Sequence, residues 1–246
     1  MHKEIIDRLR DDAEYYGDFG KQFLSSSDMK VLNEQPHLFH KDSDEGDKLP
    51  LLKGAYFHTI ILEPHKITNF ILFDGASRNS NKYKEHADEN GMCLLIPEAD
   101  EIKLLKDTIL EKEMVKALIY ADGNEYEIPM VSEIKGKLFK GKADILNHSK
   151  KLVIDLKTTA DITRFKWSAK DYYYDSQAFI YREHFGYDVI FLVACKKTGV
   201  VKIFTCSEDF YASGEDRVTF ALERYDMFYG ADAIEDADQY VEQIEL

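Results

Sequence analysis

The sequence predicts one α/β domain with peripheral helices, on three observations. At 246 residues the chain is long enough to bury a full core, two small domains being the alternative. From residue 125 to 157, after Gly123, short apolar segments alternate with polar turns, as strands do. On either side lie longer segments with apolar residues at helical spacing, at 97–120, 165–185 and 209–229.

In order, residues 5–16 read as an amphipathic helix with an acidic face, ended by Gly17 and Gly20. Ser25 to Ser27 offer N-caps for a short helix over 28–33 that stops before Pro36. Residues 41–48 are acidic and polar, a loop. A helix follows over 51–64, stopped at Pro64, with Gly54 and His58 on one face. A small residue one turn before a histidine permits close approach beside the imidazole. Residues 67–73 suit a short strand and 83–90 a helix ended by Gly91; 92–96 form a short apolar run. In the helix over 97–120, begun by Pro97, Ile102, Leu105, Ile109 and Met114 form the expected core face. Beyond the β region, 189–196 and 200–206 form a hairpin about Lys196-Lys197-Thr198-Gly199. The last segment, 231–246, has six acids and no Lys or Arg, and reads as a capping helix or a partner-binding element.

Composition bounds the function. Hydrophobic content of 44% and charged content of 32% describe a soluble globular protein. No apolar run approaches the ~20 residues that cross a bilayer, and no signal peptide precedes the first residues, so neither membrane insertion nor export is expected. The three cysteines, Cys93, Cys195 and Cys206, are too scattered for a disulfide framework, which fits a reducing cytoplasm. The net charge of −14 argues against nucleic acid, but its distribution reverses that. Residues 131–170 hold ten Lys/Arg and four Asp/Glu, a net of +6, which leaves −20 elsewhere. A phosphate backbone would find its attraction in that stretch.

That stretch also holds the chemistry. Gly141-Lys142-Ala143-Asp144-Ile145-Leu146 and Lys151-Leu152-Val153-Ile154-Asp155-Leu156-Lys157-Thr158-Thr159 read as two strands of a hairpin about Asn147, His148 and Ser149. Alternation sends Leu152, Ile154 and Leu156 into the core and Asp155 and Lys157 together to the other face. The hairpin brings Asp144 beside Asp155. Two carboxylates and an amine can hold a hard divalent cation and activate a water, although Asp-x-Lys on a strand also serves as an ordinary charge pair.

Four segments in this order, Gly54-x-x-x-His58, Asp144, Asp155-x-Lys157 within Asp155-Leu156-Lys157-Thr158-Thr159, and Gln177-x-x-x-Tyr181, resemble the PD-(D/E)XK nuclease superfamily. The resemblance is to its RecE-like exonucleases (the exonuclease VIII type), which share motifs with RecB-like nucleases. The Ser25 segment with Pro36, and Leu62-Glu63-Pro64 after His58, are similar to that branch as well. The resemblance implies a nuclease core with a central mixed β-sheet flanked by helices, spanning 1–246 as one exonuclease domain with an N-terminal helical extension and an acidic C-terminal tail. It implies that Asp144, Asp155, the Leu156 carbonyl and His58 hold magnesium, with manganese a substitute. Lys157 then orients or deprotonates water, and Gln177 and Tyr181 shape the site and contact DNA. A glutamate from the preceding element completes such sites, which makes Glu133 a candidate beside a plain surface role. Arg78, in a stretch similar to a degenerate basic motif, Lys142 and Thr158 are the expected DNA contacts. The implied activity is resection of linear duplex DNA from its 5′ end in phage-type recombination, with a single-strand annealing protein as partner and a homo-oligomeric ring, trimer or tetramer. An endonuclease of repair or restriction, or a non-catalytic DNA-binding protein, are the rival readings.

Overall fold

Residues 2–41 and 48–241 are described by a computed structural model. The expected first helix is two: α1 (His2–Arg8) and α2 (Asp12–Tyr16). Asp11 divides them because its carboxylate accepts the Ala13 N–H and caps α2, while Leu9 is wholly buried at the corner. Next, α3 (Ser26–Glu34) opens on the anticipated cap, the Ser25 N–H donating to Asp28 Oδ2 at 2.7 Å. Of the loop expected at 41–48, residues 42–47 lie outside the described residues. Helix α4 (Lys48–Leu62) tolerates Pro50 in its first turn and ends before Pro64.

Residues Pro64–Asn69 form a 3₁₀ turn, so the strand expected over 67–73 contracts to β1 (Leu72–Phe73). Helix α5 (Asn81–Asn90), ended by Gly91 at φ 75°, leads to β2 (Leu94–Leu95), which pairs in parallel with β1. The long helix expected at 97–120 breaks into α6 (Ile96–Leu110) and α7 (Glu113–Ile119). Leu105 and Ile109 are buried as expected, but the break turns Met114 outward to 74% exposure.

The main sheet has five strands, β3 (Asn124–Ile134), β4 (Lys137–Asn147), β5 (Leu152–Thr159), β6 (Asp188–Cys195) and β7 (Val201–Thr205), in sequential order. All neighbours are antiparallel except β5 and β6, so the sheet is mixed as expected. Parallel pairing requires a crossover, here α8 (Phe165–Asp171) and α9 (Tyr174–Phe185). A single helix was expected there, but Tyr173 adopts a left-handed φ of 59° and separates the two. Helix α10 (Glu208–Tyr229) starts at a Ser207 cap. Helices α4, α6 and α7 pack on one face against Ile145, Ile154 and Leu156; α8 to α10 cover the other, against Val153, Phe191 and Val193. The described tail, to residue 241, has no helix; Lys41 meets Asp238 at 2.5 Å and Tyr240 packs on Phe228.

One departure from a regular sheet positions everything that follows. Strand β4 pairs with β3 over its length but with β5 only at residues 145–147. Nearer its start, β4 receives Leu24 instead: the Leu24 N–H donates to the Leu138 carbonyl (3.0 Å) and the Lys140 N–H to the Leu24 carbonyl (2.7 Å). Leu24 and Phe139 are both buried there, each side chain contributing roughly 1.5–3 kcal/mol by leaving water. The sheet thus forks between β4 and β5.

Candidate active site

Within the fork, Leu156 turns both backbone groups toward β4 and finds side chains rather than a ladder. Its N–H donates to Asp144 Oδ2 at 2.7 Å, and its carbonyl lies 2.9 Å from His58 Nε2. His58 Nδ1 is 3.4 Å from Asp144 Oδ2, so α4 and β4 meet through this imidazole. Alternation on β5 holds: Asp155 and Lys157 share the opposite face from Leu156, with Lys157 Nζ 2.6 Å from Asp155 Oδ2. From α9, Gln177 Nε2 donates to Asp155 Oδ1 (2.9 Å) and lies 3.1 Å from the Tyr181 hydroxyl. That hydroxyl donates to the Lys142 carbonyl at 2.7 Å. Gly141 allows the close packing here, since a Cβ would meet the Met130 Cε at 2.6 Å.

The glutamate supplied by β3 is Glu127. The expected Glu133 is exposed, pairs in register with Leu138, and lies away from the cleft. Glu127 falls across from Asp144, at the one point in β3 where the ladder lapses, and its backbone has a strained φ of 50°. His58, Glu127 and Asp144 each offer a ligand atom, all within 4.8 Å of one another. Asp155 lies in the same cleft, its buried Oδ2 in contact with Lys157 yet without a partner in hydrogen-bonding geometry. An imidazole, several carboxylates and an unsatisfied buried oxygen suit a hard divalent cation.

Electrostatics follow from crowding acids in a buried place. Burial opposes ionisation of Asp144, but His58, Lys157 and the Leu156 N–H hold its carboxyl below the usual range. Burial and the Asp144 charge raise Glu127 to about 7; burial raises Asp155 to about 6 despite Lys157. Burial disfavours the His58 cation, yet Asp144 outweighs it and lifts the imidazole to about 9. Lys157 is likewise held above its ordinary value, burial being outweighed by Asp155. Since a ligating histidine must be neutral, a metal held by His58 would displace its proton.

The cleft has a volume of about 310 Å³, and residues 15, 16 and 25–27 of the N-terminal segment form one wall. A second cavity of about 360 Å³ shares Tyr16, His58, Glu127 and Lys142 with it, so Glu127 and His58 lie between two openings. Of the expected DNA contacts, Lys142 reaches Asp12 at 2.5 Å and lies over Tyr15 and Tyr16. Arg78 is not in the cleft: its guanidinium grips Glu98 with two bonds (2.8 and 2.5 Å) and the Cys93 carbonyl. Thr158 points to the α4 and α6 side, beside Phe57 and Leu105. No neighbour comes within 4 Å of a Cβ at Gly54, so the space beside it is open to solvent or ligand. Several cations of the basic stretch are already engaged, Lys135 with Glu215, Lys137 with Asp226, and buried Lys140 with the Tyr15 carbonyl.

The family description "PDDEXK-like domain of unknown function (DUF3799)" matches residues 21–232. The chain belongs to this PDDEXK-like family. The expected PD-(D/E)XK nuclease core and mixed sheet therefore hold. A solved structure from Eubacterium rectale, described as a candidate exonuclease, superposes with a TM-score of 0.69 at 18% identity, over 96% of this chain and 95% of that one. It shows the same fold along almost the whole PDDEXK-like chain. A phage related exonuclease from Haemophilus somnus is 16% identical over 83% of this chain and 94% of its own, with a TM-score of 0.37. No curated protein matches the sequence. Among the described residues, no helix is long and apolar enough to cross a membrane.

Proposed function

We propose that this chain is a divalent-metal-dependent exonuclease that hydrolyses linear duplex DNA from its 5′ ends. The observation that carries the reading is the convergence of Asp144, Asp155, Lys157, Glu127 and His58 on one cleft at a fork in the sheet. His58, Glu127, Asp144, Asp155 and the Leu156 carbonyl would hold magnesium, or manganese in its place. A cation bound there supplies an activated water and neutralises charge on the phosphate. Lys157, kept protonated beside Asp155, suits orienting that water and balancing phosphate charge better than it suits abstracting a proton. Gln177 fixes the Asp155 carboxylate, and Tyr181 ties α9 to β4.

The 5′ polarity, a role in phage-type recombination with a single-strand annealing partner and a ring-shaped trimer or tetramer rest on the RecE-like resemblance, and a cytoplasmic location on the three scattered cysteines. The wall formed by residues 15, 16 and 25–27 on one side of the cleft is compatible with entry of a DNA end. The test is digestion of 5′-labelled and 3′-labelled linear duplexes and of a closed circle, with and without magnesium. Early release of the 5′ label and survival of the circle are expected. Rapid magnesium-dependent linearisation of the circle would overturn the exonuclease reading in favour of an endonuclease.

A further inference from the structure

Immediately after the active strand, residues 160–164 lead into α8, whose outer surface is unusual for so acidic a chain. Trp167, the only tryptophan, is 67% exposed, and Tyr172 at the end of the helix is 61% exposed. Apolar side chains exposed singly are ordinary on a protein surface, but these two rings lie five residues apart. Lys166 and Lys170 lie on the same helix, and among the described residues neither forms an ion pair, unlike Lys135, Lys137 and Lys142. The same two lysines line an aromatic cleft of about 260 Å³ containing Phe191, Phe204 and Phe210. The surface is also continuous with the active site. The Tyr172 ring stacks on Tyr174 at 5.7 Å, and Tyr174 in turn lies 4.7 Å from Lys157 Nζ. Lys30, paired with Glu34 at 3.8 Å, lies 5.7 Å from the Tyr172 ring.

Exposed rings with interleaved cations are the chemistry that holds single-stranded nucleic acid, because every base has a stackable face and every phosphate a charge. We propose that α8 is a stacking platform for unpaired nucleotides of a DNA end, Trp167 and Tyr172 taking bases and Lys166 and Lys170 taking phosphates. The proposal rests on the exonuclease reading, since it is the active strand that delivers the helix to the substrate. By this placement, a frayed terminus is held beside Lys157 while the rest of the duplex waits outside the cleft.

The single tryptophan provides a direct readout. Titrating the metal-free protein with oligo(dT) should quench its fluorescence, whereas a blunt hairpin duplex should quench it far less. Measured by anisotropy of a labelled oligo(dT), Trp167→Ala should weaken binding about fivefold or more, and Trp167→Phe should stay near wild type. Lys166→Ala with Lys170→Ala should weaken the dependence of binding on salt. Circular dichroism checks that each variant folds, which the exposure of these side chains favours. Binding of oligo(dT) without quenching, no binding at all, or wild-type affinity in Trp167→Ala would overturn the platform. If such a preparation still degrades linear duplex with magnesium, only the platform is lost. If quenching occurs but magnesium gives no hydrolysis, it is the exonuclease reading that fails.

Discussion

Replacing Glu127 with glutamine should stabilise the metal-free protein at neutral and alkaline pH. Glu127 stands opposite Asp144, and its carboxyl is raised from 4.5 to about 7 by burial and by that neighbour. A raised carboxyl makes the ionised form costly: the penalty is complete above the folded value and fades as pH falls toward the unfolded one. At about 1.36 kcal/mol per pH unit, and discounting for partial exposure, the penalty is about 2–3 kcal/mol at pH 7–8, about 0.5 near pH 5 and negligible near pH 4. For a chain of this size it corresponds to a melting temperature higher by roughly 4–12 °C in Glu127→Gln at pH 8. Calorimetry of both proteins across pH 4–8 in chelator measures the difference directly. Adding manganese should then stabilise wild type and do so much less for the variant, because a bound ion contributes only where its ligands remain. A variant less stable than wild type at pH 8, or a difference that does not shrink on acidification, would refute the reasoning.

Asp155→Asn should keep its bond from Gln177 and its fold, yet lose at least about a hundredfold in magnesium-dependent hydrolysis, read on labelled duplex with circular dichroism as the control. Arg78→Ala removes the two hydrogen bonds to Glu98 and should cost about 1.5–3 kcal/mol in denaturant titration while leaving hydrolysis intact; a selective loss of DNA affinity would return Arg78 to the DNA surface. Tyr181→Phe leaves the Lys142 carbonyl without its donor and should cost about 1–3 kcal/mol in the same titration.

The parts of the site visible in the sequence are those that strict alternation governs. Asp155 and Lys157 on one face, Leu156 on the other, follow from the period of a strand, and Gln177 with Tyr181 follows from the period of a helix. Glu127 was missed for want of a register. The Lys135-Gly136 turn has both φ angles positive, 50° and 80°, the signature of a two-residue hairpin. Once that turn is placed, pairing Ile134 with Lys137 puts Glu127 across from Asp144, while Glu133 stays near the turn. Two of the divided helices, at 97–120 and 165–185, escaped for another reason. Neither the 111–112 break nor Tyr173 carries glycine or proline, so nothing local interrupts the helical pattern, and tertiary packing decides. The burial of Lys140 and the pairing of Lys135 and Lys137 depend on distant partners, so the basic stretch looked freer in the sequence than it is in the fold.

The fork between β4 and β5 makes some of the chemistry inseparable from the architecture. Where a sheet parts, backbone groups lose their partners, and here Asp144 and His58 satisfy the two that Leu156 exposes. These side chains are therefore structural members as well as candidate ligands. Glu127 has no such duty and strains the chain it sits in. A population of variants selected for thermal resistance alone, with no demand for activity, would keep Asp144 and His58 and discard Glu127. Such drift would sort the site into residues the fold requires and one retained only by use.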